Sequence, residues 1–139
     1  MIVCDTSGLV AAYSATDPRR HQIAELLSSD PDALILSPFV LAELDYLIAT
    51  RAGVRDELKI LSDVAAGVYT LAEFGPADVA QAAQVVERYQ EMRIGLADAS
   101  LVVLAARYRT TRLLTLDEKH FRVIRPLHAD AFTLLPADS

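Results

Sequence analysis

The sequence predicts an α/β fold in which a parallel sheet is covered by helices. Three observations carry this expectation. Short β-like runs alternate with helical patterns along the whole chain, and an alternation of that kind feeds parallel strands through helical crossovers. The composition, 53% hydrophobic but only 6% aromatic and rich in Ala, Leu and Val, suits packed helices over a small sheet better than a β-sandwich. Finally, 139 residues without repeats, low-complexity tracts or long Pro/Gly/Ser linkers are expected to form a single domain spanning 1–139.

The first strand is IVC at 2–4, followed by the helical stretch GLVAAYS, for which Ser7 is a plausible cap. A helix from about Arg19 to Ser29 gathers Ile23, Leu26 and Leu27 on one side, and ALIL at 33–36 is the second strand. PFVLAELDYLIATRAG reads as a helix ending at Gly53, a residue suited to a helix C-terminus. VYTLAEF near 68–74 is a third strand. PADVAQAAQVVERYQEM starts a helix at Pro76, with Val79, Ala82, Val86 and Tyr89 expected on its apolar face. The segment LADASLVVLAA, helical from about Leu96, is apolar all round and should be buried. LLTL at 113–116 and AFTLL at 131–135 complete the strands.

Bulk properties narrow the setting. Cys4 is the single cysteine, so no internal disulfide can form, which together with an N-terminus lacking a basic leader pattern points to the reducing cytoplasm. No apolar stretch reaches the ~18 residues that would suggest a membrane span. Nineteen acidic against thirteen basic residues, a formal charge of −6, argue against a generic nucleic-acid coat.

Four carboxylates stand where apolar residues are expected. Asp5 closes the first strand and Asp117 follows LLTL in the same way, and parallel sheets gather their sites at the carboxyl ends of strands. Turn or cap chemistry is the plain alternative for both. Glu43 falls between Phe39 and Leu47 in the apolar sector of its helix, where a buried ion pair or an edge-of-face residue whose stem packs would be the plain reading, while Asp45 points the other way as a solvated charge. Asp98 interrupts the most apolar helix, too far from its start to be only a cap. Four such groups in one crevice would repel one another and resist ionisation unless a cation intervened. With oxygen ligands and no clustered Cys or His, the expected cation is Mg²⁺, with Mn²⁺ as a substitute. Such ions activate water and stabilise charge on a phosphodiester under in-line attack. His21, His120 and His128 are scattered through polar contexts and are expected at the surface or in structural roles.

With VCDTSGLVAAY at the opening, SPFVLAELDYL around the second acid, RIGLADASLVVLA around the third and LLTLDEKHF around the fourth, the chain resembles the PIN-domain family, and within it the VapC-type toxins, from end to end. The resemblance implies a three-layer α/β/α fold with a short, mostly parallel central sheet. It also implies that Asp5, Glu43, Asp98 and Asp117 are catalytic and metal-binding, with Thr6, Ser7 and Thr115 as hydroxyls that support them or hold water. The implied activity is a Mg²⁺-dependent endoribonuclease cutting structured RNA, such as tRNA or an rRNA loop. The implied partners are a VapB-type antitoxin and a second copy in a homodimer. Setting the four acids aside as metal-bound leaves a charge of −2, and Arg93, Arg19, Arg20, Arg51 and Arg112 are candidates for holding RNA.

Two other readings share parts of the pattern. A phosphoacceptor receiver domain also groups carboxylates around Mg²⁺ at strand ends, but would want adjacent acids after the first strand and a lysine following a later one, whereas Asp5 stands alone and the lysines are Lys59 and Lys119. A non-catalytic interaction module of the same fold would have little reason to keep four costly carboxylates.

Overall fold

The computed structural model describes residues 1–29 and 32–139. Among these, five strands and seven helices follow in the order β1 (Ile2–Cys4), α1 (Thr6–Tyr13), α2 (Arg20–Ser29), β2 (Leu34–Leu36), α3 (Pro38–Ala52), α4 (Val54–Ala65), β3 (Thr70–Leu71), α5 (Pro76–Arg88), α6 (Leu96–Arg107), β4 (Arg112–Leu114), α7 (Glu118–Phe121) and β5 (Thr133–Leu135), with a 3₁₀ turn at Gln90–Met92 between α5 and α6.

All four strand pairings are parallel and the sheet order is β3-β2-β1-β4-β5. The chain builds outward from β1 to β3, then crosses back to lay β4 against the other side of β1, in register Val3 with Leu113 and Cys4 with Leu114. Between β1 and β4 the progression reverses, and a doubly wound sheet opens a crevice at that point, outside the carboxyl ends of its strands. The receiver arrangement, order 2-1-3-4-5, would put the third strand beside the first. Here the neighbours of β1 are β2 and β4, so that alternative is excluded by topology.

The apolar runs bury as the alternation requires. Ile2, Val3, Cys4, Leu113 and Leu114 are fully buried, and α6 buries every residue from Ala99 to Ala105. β1 covers the expected 2–4, while the other strands are shorter than their apolar runs, most of all β3, an exposed two-residue edge strand in place of the expected 68–74. On α5 the buried residues are Ala82 and Val85, with Val86 and Tyr89 partly buried and Val79 exposed, so the packed face is rotated from the expected one.

Helix α4 has no counterpart among the elements expected from the sequence. Gly53, at φ +94°, ends α3 with its N–H directed at the carbonyls of Ile48 and Ala49, and it also begins α4 with no side-chain cap. A residue that stops one helix and starts the next without a capping side chain leaves no start signal to read.

Candidate active site

At the carboxyl end of β1, the Asp5 N–H donates to the Leu114 carbonyl (2.9 Å), so the strand's last hydrogen bond fixes the residue beside β4. The Asp5 side chain caps α1, Oδ1 accepting from the Thr6 N–H at 2.8 Å. Asp5 thus takes the capping role expected of Ser7, which lies inside α1 and turns its hydroxyl to the site instead. Asp5 Oδ2 accepts from Ser7 Oγ at 2.9 Å and from Thr115 Oγ1 at 2.7 Å. The two hydroxyls stand 3.3 Å apart and in turn accept the N–H groups of Leu116 and Asp117.

Close approach of α1 to β4 makes this network possible. A Cβ on Gly8 would lie 2.7 Å from Leu114 Cγ and 2.9 Å from its carbonyl oxygen, closer than side-chain carbons tolerate. Glycine is therefore required for packing at this point, whatever its backbone freedom.

A second link ties α3 to α6. Ser37 caps α3 through the Phe39 N–H, and its hydroxyl meets that of Ser100 at 2.7 Å; Ser100 Oγ also donates to the Ala97 carbonyl. Both serines are fully buried. This link fixes the start of α3, which carries Glu43, against the start of α6, which carries Asp98. Neither serine stood out in the sequence.

Asp98 lies in the first turn of α6, but α6 has no side-chain cap, so capping does not account for it. Glu43 is exposed on α3 rather than buried, because its side chain opens into the crevice. Asp117 caps α7 by accepting the His120 N–H at 3.0 Å, and its other oxygen meets His120 Nδ1 at 2.7 Å. Asp5, Glu43, Asp98 and Asp117 all line one open cleft of about 630 Å³, together with Thr6, Ser7, Asp17, Arg19, Arg51 and His120.

The electrostatics are unusual for so many acids. Burial holds the Asp5 carboxyl above the usual carboxylate range, opposed by the hydrogen bonds from Thr115, Ser7 and Thr6 and reinforced by Asp117. Burial likewise pushes Asp98 up to about 6, with Asp5, Asp117 and Glu43 adding repulsion and His120 relieving some of it. Among the described residues neither Asp98 nor Glu43 receives a hydrogen bond or ion pair, and Arg19 is bound to Asp17 at 3.2 Å. The Thr6 hydroxyl is buried at the cleft wall without a partner. Burial, then Asp5, pushes the Cys4 thiol up to about 12, so this cysteine is inert packing.

The donor set therefore fits a hard divalent cation in chemistry: carboxylate and hydroxyl oxygens, crowded negative charge and, among the described residues, no ion pair on the two deepest acids. Among the described residues, no three acidic, imidazole or thiol groups are already drawn in around a single ion position.

Other expected residues fall elsewhere. Arg20 and Arg93 are exposed and do not line the cleft; Arg93 has a left-handed backbone, φ 54°, closing the 3₁₀ turn. Arg112 lies at the amino end of β4, bound to Asp32, away from the strands' carboxyl ends. His120 reaches the cleft against expectation, while His21 and His128 are exposed. Asp45 is half-buried, not solvated, with Oδ1 buried and unpartnered. No described helix is long and apolar enough to cross a membrane.

A doubly wound parallel sheet with four acids at its switch point defines the class, and the PIN domain profile matches residues 2–126: the chain belongs to the PIN domain family. It is 49% identical over 135 residues to Ribonuclease VapC26 of Mycobacterium tuberculosis, an alignment covering 97% of this chain and 100% of that protein. Among solved structures, it is similar in fold to Mycobacterium tuberculosis VapC20, described as a sarcin-ricin loop cleaving toxin, with TM-score 0.82 and 22% identity over 94% of this chain and 99% of that one. It is also similar to VapBC2 from Rickettsia felis, solved bound to a promoter DNA fragment, with TM-score 0.69 and 22% identity over 96% and 98% of the respective chains.

Proposed function

We propose that the chain is a Mg²⁺-dependent endoribonuclease, the toxin of a toxin–antitoxin pair, working in the cytoplasm on structured RNA such as tRNA or an exposed rRNA loop. The observation that carries this reading is the cleft itself, where Asp5, Glu43 and Asp98 crowd together and, among the described residues, neither Asp5 nor Asp98 is held in an ion pair. The 49% identity to a ribonuclease over nearly the whole chain supports the reaction class.

In this reading Asp5, Glu43 and Asp98 would hold Mg²⁺, or Mn²⁺ in its place, with Asp117 at the rim as the fourth acid. The bound ion would supply a water activated for in-line attack on phosphorus and charge stabilisation for the displaced oxygen. The remaining work belongs to the chain. Thr115 and Ser7 hold Asp5 in one orientation, the Ser37–Ser100 link holds Glu43 and Asp98 on facing helices, and Asp117 orients the His120 ring. Arg19 and Arg51 line the cleft and would receive the flanking phosphates, which offsets the negative net charge where RNA must approach.

A VapB-type antitoxin and a homodimer complete the proposal; the similarity to a VapBC structure supports the first. The test is incubation of wild type and Asp98→Asn with total bacterial RNA, with Mg²⁺ or chelator, and mapping of every new end. Discrete ends that require both Mg²⁺ and Asp98 are expected. Asp98→Asn cutting at the wild-type rate would overturn the assignment.

A further inference from the structure

Outside the cleft, one concave region is built unlike the rest of the surface. Between α5, α6 and the segment 125–127 lies a hollow of about 350 Å³. Gln81, Gln84, Val85 and Arg88 line it from one face of α5, as their spacing of three and four residues requires. Buried Val85 and Val102 form its apolar floor. Arg125 enters from the opposite wall, and its backbone N–H donates to the Tyr89 hydroxyl at 3.0 Å, pinning that wall to the end of α5.

Arg88 and Arg125 carry no ion pair among the described residues, so neither guanidinium in the hollow is engaged by an acid of the chain. Two guanidinium groups lining one hollow offer an anion two sets of charged donors. The hollow is at the small end of the range for ligand pockets, about 300–1,000 Å³, and combines an apolar floor, two amides and two cations. That combination matches one nucleotide: a base over the floor, its edge against an amide, its phosphate on arginine.

A further hollow shares a residue with the cleft and has lining residues near those of the first in sequence. His120 lines both the cleft and a second hollow formed with Glu91, Met92, Lys119 and Val123. That second hollow adjoins the first along the chain, Glu91 two residues past Tyr89 and Val123 two before Arg125.

We propose that the α5/α6 hollow is a second RNA-binding point that captures one unpaired nucleotide of the substrate, at a distance from the scissile bond. This rests on the ribonuclease reading above. Gln81 and Gln84 read the base edge, Arg88 and Arg125 hold the phosphate, and the strand reaches the cleft over Met92 and Val123. Specificity is thereby set partly at a position the reacting groups never touch.

The experiment compares wild type, the double variant Arg88→Gln/Arg125→Gln, its rescue Arg88→Lys/Arg125→Lys, Gln84→Ala, and Arg55→Gln/Lys59→Gln as a charge-matched control at exposed positions of α4. Steady-state cleavage is measured on an RNA identified by end mapping, after thermal melts confirm folding. The double variant should raise KM about tenfold with much less change in kcat. It should also reduce the slope of log Kd against log salt by about 0.7, the contribution of the one phosphate that the two arginines neutralise on a single strand. Lysines should restore the slope but only part of KM, and Gln84→Ala should relax base preference at one flanking nucleotide. An unchanged KM and salt slope in the folded double variant would overturn the inference. If wild type cuts no RNA, the ribonuclease reading fails, and anisotropy with a fluorescent hexanucleotide in chelator decides the hollow alone: binding abolished in the double variant upholds it, and equal binding by both proteins, or none by either, overturns it.

Discussion

The two ends of the β1–β4 strand pair treat the same residue type in opposite ways. At the amino end, Asp32 is met by the Met1 ammonium at 2.7 Å and by the Arg112 guanidinium, and the Thr110 hydroxyl closes the corner on the Met1 carbonyl. At the carboxyl end Asp5 receives only neutral donors, and Asp98 receives none among the described residues. A further acid, Asp138, shows the satisfied extreme: hydrogen bonds from Arg122 and the Leu134 N–H pull its carboxyl down to about 2, whereas Asp98 is pushed up to about 6. The amino end spends its acids on holding the fold. At the carboxyl end Asp5 and Asp98 are left without a charged partner among the described residues, which destabilises the protein alone.

Asp98→Asn should break that contrast most strongly. Cleavage should fall roughly a thousandfold, the scale of losing one charge-stabilising group at a reacting centre. The same change should stabilise the metal-free protein. Because the folded state raises this carboxyl's pKa, its contribution to stability is full below its ordinary range and is lost as pH rises through about 6. Thermal melts in chelator should therefore show the variant gaining over wild type from acid to pH 8, by on the order of 1 kcal/mol once solvent screening of a part-exposed group is allowed for. Adding Mg²⁺ should raise the wild-type melting temperature and leave the variant's nearly unmoved; equal responses would show that the cleft is not where the cation acts.

Thr115→Val preserves shape and removes a hydroxyl from Asp5. Its expected effect is a ten- to hundredfold loss in Mg²⁺ affinity by calorimetry, the usual scale for a group that orients a metal ligand. At the other end of the strands, Asp32→Asn should lower stability by about 1 kcal/mol in urea melts, with that loss shrinking at high salt. The smallest effect belongs to Asp45→Asn. Glu57 is held above the ordinary carboxylate range first by its hydrogen bond with Asp45, so its contribution to stability is present in acid and fades as pH rises through the shifted value. The variant should flatten that pH dependence and leave RNA cleavage near wild type; loss of cleavage would tie the α3/α4 pair to the site.

Strand ends and acids were legible in the sequence because each breaks a local pattern. Asp5 and Asp117 stop apolar runs, and Asp98 intrudes on a helix apolar on all sides. Glu43 was placed in an apolar sector and instead lines the cleft, since a helical wheel gives direction but cannot tell a core from the wall of a crevice. The supporting hydroxyls divided by visibility. Ser7 and Thr115 lie beside acids in sequence, whereas Ser37 and Ser100 meet across 63 positions and leave no local trace. His120 was missed for a related reason: its role depends on the short helix α7, four residues long and too brief to show periodicity.

Gly8 makes that arrangement adjustable from behind. With only a hydrogen facing the Leu114 carbonyl, this residue acts as a spacer gauge between α1 and β4, and the gap it sets is what lets Ser7 and Thr115 share one oxygen of Asp5. A single added methyl there would touch no acid and alter no charge, yet would pry apart the two supports of the same carboxylate. The potency of the site is thus written into a thickness as much as into its chemistry, and an attenuated form, as opposed to a dead one, is reached by changing the residue that contributes no side chain at all.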